Sequence, residues 1–429
     1  LRSALTSVAA LLIAVVFLVA GYGLLLTLLP LRAQIEGMSA FAIGLMGSAY
    51  FLGMMVGCLA SPIFIREVGH IRAFATGAAL LTVVPLAHSM IIDTTVWIIL
   101  RVASGFSIAL LYSVIESWMN EKSPNAYRGQ ILAIYNIVNY AATAVGQQAM
   151  RLYAPKGFEL FSIAAILVSL AAIPVAMTRA AAPPVPNSPK LRIFWLYRLS
   201  PVGVIGSFGT GLANGAFWSL APTYVVDSGL SPAGVANFFA AAMLGVTISL
   251  WPLGRLSDRI DRRIVLVMAT SAAAVVGIGI VTTRLLGYEQ EGLLYGLAFL
   301  FGFAALPSYS LASAHANDFA EPGDLVEVST ALLLIFTFGA IVGPLAASAL
   351  MGAFGSMALF GYTALIHLAM TLLTLHRMRV RVAKPPSERE RFVTAPSTSP
   401  TVVGLNPRVA PTREGGTPDG GGRGSPSVS

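Results

Sequence analysis

Residues 219–232 read SLAPTYVVDSGLSP, and a worn copy, TLLPLRAQIEGMSA, stands at 27–40. At this offset of 192 (219 − 27), Leu28 falls on Leu220, Pro30 on Pro222, Gly37 on Gly229 and Ser39 on Ser231. Thr27/Ser219 and Met38/Leu230 are chemically close, and Gly23 and Gly53 fall on Gly215 and Gly245. A constant offset over about thirty positions marks a duplicated unit, which constrains the fold before any single motif does. Each copy carries the same punctuation, G-M-S-A and G-L-S-P, a glycine that stops one helix and a serine that starts the next.

The 429 residues are 56% hydrophobic and 11% charged, against about 25% charged in a soluble domain. The deficit comes from long apolar runs, 4–31, 41–65, 74–92 and 95–119 in the first part alone. Each can cross a hydrocarbon layer of ~30 Å as a helix of roughly 20 residues, so the chain is expected to be a polytopic membrane protein. The first run is too long for a signal-peptide core and belongs to the repeat, so it is kept as a helix. Cys58 is the one cysteine, which excludes an internal disulfide and a thiolate cage, and the five histidines have no metal-ligand spacing. No metal and no cofactor is expected. A Walker-type loop and a His-Glu-x-x-His helix are both missing, which argues against an ATP-driven pump and an intramembrane metalloenzyme.

Twelve spans are expected, at 5–31, 40–65, 71–92, 95–119, 129–152, 158–178, 201–226, 232–256, 262–284, 290–315, 327–352 and 355–376. With the N-terminus inside, the inner loops and flanks hold Arg2, Arg66, Arg72, Lys122, Arg128, Arg179, Lys190, Arg192, Arg198, Arg255, Arg259, Arg262, Arg263, Arg377, Arg379, Arg381 and Lys384. The outer side holds Arg32, Arg151, Lys156 and Arg284. That bias predicts both termini in the cytoplasm and accounts for the net charge of +8 without nucleic acid. The chain divides into an N-terminal half (1–179), a cytoplasmic linker (180–200), a C-terminal half (201–376) and a tail (377–429). Prolines interrupt the linker, whose stretch 190–198 with Trp195 and Tyr197 reads as an interfacial basic-aromatic strip. The tail from about Lys384 is rich in Pro, Gly, Ser and Thr, cannot bury a core of its own and is expected to be disordered.

At the end of span 8 stands G254-R-L-S-D-R-I-D-R-R263. It resembles the Gly-x-Leu-Ala-Asp-Arg-x-Gly-Arg-Arg loop of the major facilitator superfamily, with Asp261 in place of the second glycine. R101-V-A-S-G105 in span 4 resembles that family's Arg-x-x-x-Gly element. The combination of L-P-L-R-A-Q, V-I-E-S-W and R128-G-Q is similar to the YcaD-like branch of bacterial permeases. The resemblance covers about 5–376 and implies an all-α membrane fold, with twelve helices in two pseudo-symmetric halves around a midplane cavity. It also implies a permease in the bacterial inner membrane, working as a monomer on a small-molecule substrate. In that family the loop's acidic residue sits by the start of a helix of the other half. Asp258, with Arg259 and Arg262, should therefore face the start of span 5 near 127–129. The offset places Arg66 where the first half would have its own acidic residue. A charge-swapped gate, Arg66 with Asp324 or Glu327 before span 11, is one expectation; a solvated acidic loop is the other.

A charge inside a span costs ~2.5–3.5 kcal/mol on insertion scales and needs a reason. Arg101 is a candidate cavity cation for an anionic substrate group, or a structural donor to carbonyls between helices. Glu116 is a candidate proton-coupling carboxylate, since desolvation favours the neutral acid; with Asn120 one turn away it can equally snorkel to the interface. Its repeat partner at offset 192 is Ser308. Arg32 reads as a snorkelling residue or part of an outer funnel. Tyr22 and Asn214 occupy equivalent positions of spans 1 and 7. Asn136, Asn139, Tyr140 and Gln147 share one face of span 5, which should turn into the bundle. Trp218, Phe217 and Tyr309 can stack on a planar solute or simply pack.

These residues point to a secondary active transporter of a small organic solute by alternating access, coupled to protons. A cavity centred on Arg101 suits uptake of an anionic or vitamin-like metabolite; one centred on Glu116 with aromatics suits efflux of lipophilic cations. Span 5 reads A-T-A-V-G-Q-Q, without the Gly-Pro signature of drug/proton antiporters, which lowers the second reading. A non-transporting sensor on the same fold is the alternative from another class.

Overall fold

The computed structural model describes residues 2–177, 192–385, 388–389, 391–406 and 409. The first half packs α1 (Arg2–Ile35), α2 (Ala40–Val68), α3 (His70–Met90), α4 (Thr94–Lys122), α5 (Arg128–Gln148) and α6 (Glu159–Ala176) into one bundle. A short helix, α7 (Ile193–Leu199), precedes the second. That bundle holds α8 (Pro201–Asp227), α9 (Pro232–Arg259), α10 (Arg262–Leu285), α11 (Glu291–Ala305), α12 (Ser308–Asn317), α13 (Leu325–Phe354) and α14 (Ala358–Val380). Helices α11 and α12 together make the tenth span, interrupted before Ser308 at Pro307, which has no N–H to continue the ladder. Twelve spans in two halves result. Ten are long and apolar enough to cross a membrane by composition; α5 and α8 fall short because one carries the polar face and the other is rich in glycine.

The repeat is built into the backbone. Gly37 and Gly229 both take positive φ, 76° and 83°, a region glycine enters without a Cβ clash. Ser39 and Ser231 then cap α2 and α9, each accepting a backbone N–H at 3.2 Å. Helix crossings repeat as well. A Cβ on Gly53 or Gly105 would strike the carbonyls of Val102 and Tyr50; one on Gly245 or Gly302 would strike those of Phe299 and Ala242. Tyr50/Ala242 and Gly53/Gly245 keep the offset of 192, whereas Val102/Phe299 and Gly105/Gly302 are 197 apart (299 − 102). Gly146 on Ala20 and Gly343 on Leu212 carry the same shift into α5 and α13. The extra residues lie in α10 and the turn after it, which are longer than α3 and its turn. This corrects the pairing of Glu116 with Ser308. Its symmetry mate is Ser313, as Tyr309 is that of Tyr112.

The proline-rich part of the expected linker, 178–191, lies outside the described residues. Helix α7 buries Leu196, exposes Phe194 and Tyr197, and lays Arg192 over the Trp195 ring at 4.4 Å. Beyond α14 the chain departs from the expectation of a structureless tail: residues 391–406 pack between the halves and close with a 3-10 turn, Pro400–Leu405. Val402, Val403 and Leu405 are buried there, an apolar group that the polar composition around it conceals. Of the tail, residues 386–387, 390, 407–408 and 410–429 lie outside the described set.

Candidate functional site

The two halves meet at one end of the bundle and part at the other. At the end away from the termini, Ser48 Oγ donates to Ile341 O (2.6 Å), Gln148 Nε2 to Ala236 O (3.1 Å), Arg151 to Asn237 (2.5 Å) and Gln34 to Asp227 (2.5 Å). At the terminus-bearing end, residues 391–406 fill the space between α4, α5, α12 and α13. The cavity that remains, lined by Leu132, Tyr309, Ser313, Leu333 and tail residues, measures about 30 Å³, room for a water or two.

Two ionisable side chains with no counter-ion among the described residues lie inside this shell, on one helix. Arg101 is nearly buried on α4, its guanidinium 4.5 Å from the Tyr50 ring centroid and its Nε 3.5 Å from Met46 O. Tyr22 of α1 stacks on Tyr50 at 5.4 Å. Among the described residues no carboxylate lies within ion-pair distance of Arg101. Fifteen positions on, about 22 Å along the helix at 1.5 Å per residue, Glu116 is fully buried. It accepts from Tyr135 Oη at 2.7 Å, from Thr398 Oγ1 at 2.5 Å and from Ser399 Oγ, with Thr401 Oγ1 3.3 Å away. Those hydroxyls match the roughly four lone-pair sites of a carboxylate, yet no described cation neutralises it. Between the two charges, Tyr112 Oη donates to Asn139 Oδ1 at 2.8 Å, so α4 and α5 are laced by two polar rungs.

The other candidates separate into groups. Asn136, Gln147 and Asn214 are buried, and Asn136 Nδ2, both Gln147 amide atoms and Asn214 Oδ1 have no partner among the described residues. Buried polar atoms in that condition are costly unless a ligand or water meets them. Trp218 is half-buried and stacked on Phe239, in the aromatic cluster of Phe217, Phe238, Phe301 and Phe360. Arg32 lies apart from the cavity. It binds Glu36 at 2.6 Å and the carbonyls of Pro155, Lys156 and Gly157, pinning the turn before α6.

The loop residues pair differently from the sequence expectation. Arg66 is exposed and forms no ion pair among the described residues; Asp324 and Glu327 are met by Arg192, at 3.3 and 2.6 Å. Asp258 is not at the start of α5: its Oδ1 accepts from Phe392 N at 2.6 Å, with Arg262 3.6 Å away. Arg128, which starts α5, donates to Gly404 O and Val409 O. Arg259 is exposed without an ion pair among the described residues. Arg262 is buried and bonds Asp318 at 2.7 Å, clamping α10 to the end of α12. Asp261 replaces the family's glycine without strain. Its φ is −58°, and it caps α10 by accepting from Arg263 N.

Sequence reasoning missed Tyr135, Tyr112, Tyr50 and the tail hydroxyls. Tyr135 and Tyr112 were within reach: Tyr135 precedes Asn139 by one turn, and Tyr112 precedes Glu116 by one turn. Tyr50 carries no such sign. For the tail, the sole signal is the Val402-Val403-x-Leu405 pattern.

A twelve-span bundle whose halves enclose ionisable side chains and amides without partners among the described residues has the architecture of a multi-pass membrane transporter, and the comparisons with known proteins agree. The family model of the Major Facilitator Superfamily matches residues 1–147 and 203–411, and the chain belongs to that superfamily. It is 28% identical over 345 residues to an uncharacterized MFS-type transporter of Yersinia pestis, covering 78% of this chain and 86% of the relative. It is 27% identical over 354 residues to the uncharacterized MFS-type transporter YcaD of Shigella flexneri, covering 81% and 90%. Among solved structures it is similar to the nucleoside transporter NupG (TM-score 0.69, 10% identity, 86% of this chain and 99% of that one). The Escherichia coli fucose:proton symporter FucP also matches (TM-score 0.55, 15% identity, 88% and 99%). At such identities these structures speak for the fold alone.

Proposed function

We propose that the chain is a proton-coupled secondary transporter of a small organic solute, oriented with both termini in the cytoplasm. The observation that carries this is the pair of unpaired charges on α4, Arg101 near the closed end and Glu116 near the terminus-bearing end. An isolated buried ion is costly, and a protein retains one where its charge has a use. Glu116 is surrounded by hydroxyls rather than by a cation, so its ionisation follows its access to water. It is the group that takes up and releases the proton. Arg101, with Tyr22 and Tyr50, holds an anionic or aromatic part of the solute, and the free amides of Asn136, Gln147 and Asn214 take its polar groups. This favours the anionic or vitamin-like class over lipophilic cations, because the residue facing the aromatic pair is an arginine.

Thermal stabilisation of purified protein by a sorted panel of anionic aromatics, flavins, sugars, amino acids and lipophilic cations tests the reading. A ligand that binds only the folded state raises the melting temperature by mass action. An anionic or flavin hit that survives Glu116→Gln and is lost in Arg101→Gln is the expected result. A cation hit lost in Glu116→Gln would overturn the substrate assignment and favour efflux.

A further inference from the structure

The occupant of the open mouth is the chain itself. After α14, Arg381 reaches Leu199 O at 2.7 Å and Lys384 Nζ reaches Asp318 O. Arg389 then bonds Ile260 O at 2.6 Å, and the Phe392 ring lies over Gly254. From this anchorage on the second half the segment crosses to the first. Ser310 Oγ holds Ala395 O at 3.0 Å; Thr398, Ser399 and Thr401 then surround Glu116, and Asn120 Nδ2 donates to Thr401 O at 2.7 Å. Leu405 is fully buried and Val402 and Val403 nearly so.

The contacts of this segment with the signature loop carry the inference. At the closed end, α5 and the 3-10 turn after it touch α9 directly through Gln148–Ala236 and Arg151–Asn237. The other ends of those two helices carry opposite charges, Arg128 at the start of α5 and Asp258 at the end of α9. These are natural partners when the terminus-bearing end closes. Here neither meets the other: Asp258 is bonded by the Phe392 amide and Arg128 by the carbonyls of Gly404 and Val409. The segment thus stands between both halves of a gate, with its hydroxyls on the coupling carboxylate.

We propose that residues 391–406, with Val409, form an intramolecular plug that occupies the transport cavity in place of solute and holds the terminus-bearing end open until it withdraws. That the plug inhibits transport rests on the transporter reading above; that it occupies the cavity and holds the gate open does not. The plug's three hydroxyls stand where donors of a bound solute or a proton would be needed once it leaves.

The test uses the full-length purified protein in a Cys58→Ala background, with no solute present, so its outcome is independent of the ligand panel. Ser313→Cys reports the plugged mouth and Ser48→Cys the closed end. Each is labelled with a water-soluble maleimide in the natural chain and with Val402→Asp/Leu405→Asp, which puts two carboxylates into the apolar seat and leaves the bundle untouched. The expected result is at least about tenfold faster labelling at both sites on expulsion of the segment, as the closed end begins to sample opening. Equal rates at Ser313→Cys in the two chains would overturn occupancy, and a rise there without one at Ser48→Cys would overturn the lock. A second measurement covers a tail substitution that acts by misfolding. In Asn120→Cys/Gly404→Cys, where a Cβ at 404 would lie against the side chain of residue 120, a cross-link should form under mild oxidant, and failure to do so would also sink the proposal.

Discussion

Replacing Asp318 by alanine isolates the most completely buried ion pair among the described residues. The Arg262 and Asp318 side chains are 1% and 3% exposed, with Nε and Oδ2 2.7 Å apart. Removing the carboxylate leaves a guanidinium whose remaining partners include the Ser257 hydroxyl at 2.9 Å and the half-exposed Asp258 at 3.6 Å. Breaking a buried pair costs about 3–5 kcal/mol because the surviving charge stays desolvated. These residual partners place this case near the lower end, about 3 kcal/mol, or roughly a hundredfold in the unfolding equilibrium. The corresponding fall in melting temperature is about 5 °C or more. Cys58 is the one thiol and is buried, so a fluorogenic maleimide that lights up when Cys58 is exposed reads the transition directly. The control is Asp318→Ala/Arg262→Met, which replaces both charges with apolar volume and should recover most of the loss. A single variant within about 1 kcal/mol of the natural chain, or a double variant no better than the single, would refute the clamp.

Other expectations are read the same way. Gly105→Val and Gly302→Val force a branched side chain onto the carbonyls of Tyr50 and Ala242 and should each cost about 1–3 kcal/mol or more. Gly292→Ala, which meets nothing within 4 Å, should be neutral or stabilising by about 0.5–1 kcal/mol; equal losses at all three would dismiss the close-approach argument. Burial pushes the Asp261 carboxyl up, but hydrogen bonds from the Arg263 guanidinium and backbone outweigh it and hold the group below its ordinary 3.8. A depressed carboxylate stabilises at neutral pH and loses that contribution as pH falls below about 4. Asp261→Asn should therefore flatten the acid limb of a stability–pH curve, and an unchanged limb would contradict the assignment. Arg66→Glu should alter stability by less than about 0.5 kcal/mol, since the side chain is exposed and has no ion pair among the described residues. A larger loss would restore the charge-swapped gate with Asp324 or Glu327.

The duplication, the twelve spans and the loop signature were legible in the residues because each rests on local information. Apolar runs of membrane length, the Gly–Ser punctuation at 37–39 and 229–231, and the polar face of α5 all follow from what a helix must bury and how it must begin and end. Arg101 and Glu116 stood out for the same reason: a charge within an apolar run needs no tertiary structure to be conspicuous. Partnership was a different matter. That Arg192 rather than Arg66 meets Glu327, that Arg262 clamps Asp318, and that Glu116 corresponds to Ser313 depend on which distant segments arrive at one place. A repeat offset that drifts from 192 to 197 inside α10 and the turn after it shows up only where helices cross. The tail shows this most plainly. Its composition reads as that of a segment without a core of its own, yet Val402, Val403 and Leu405 find their burial in a cavity made by other helices, and only the tertiary structure supplies that cavity.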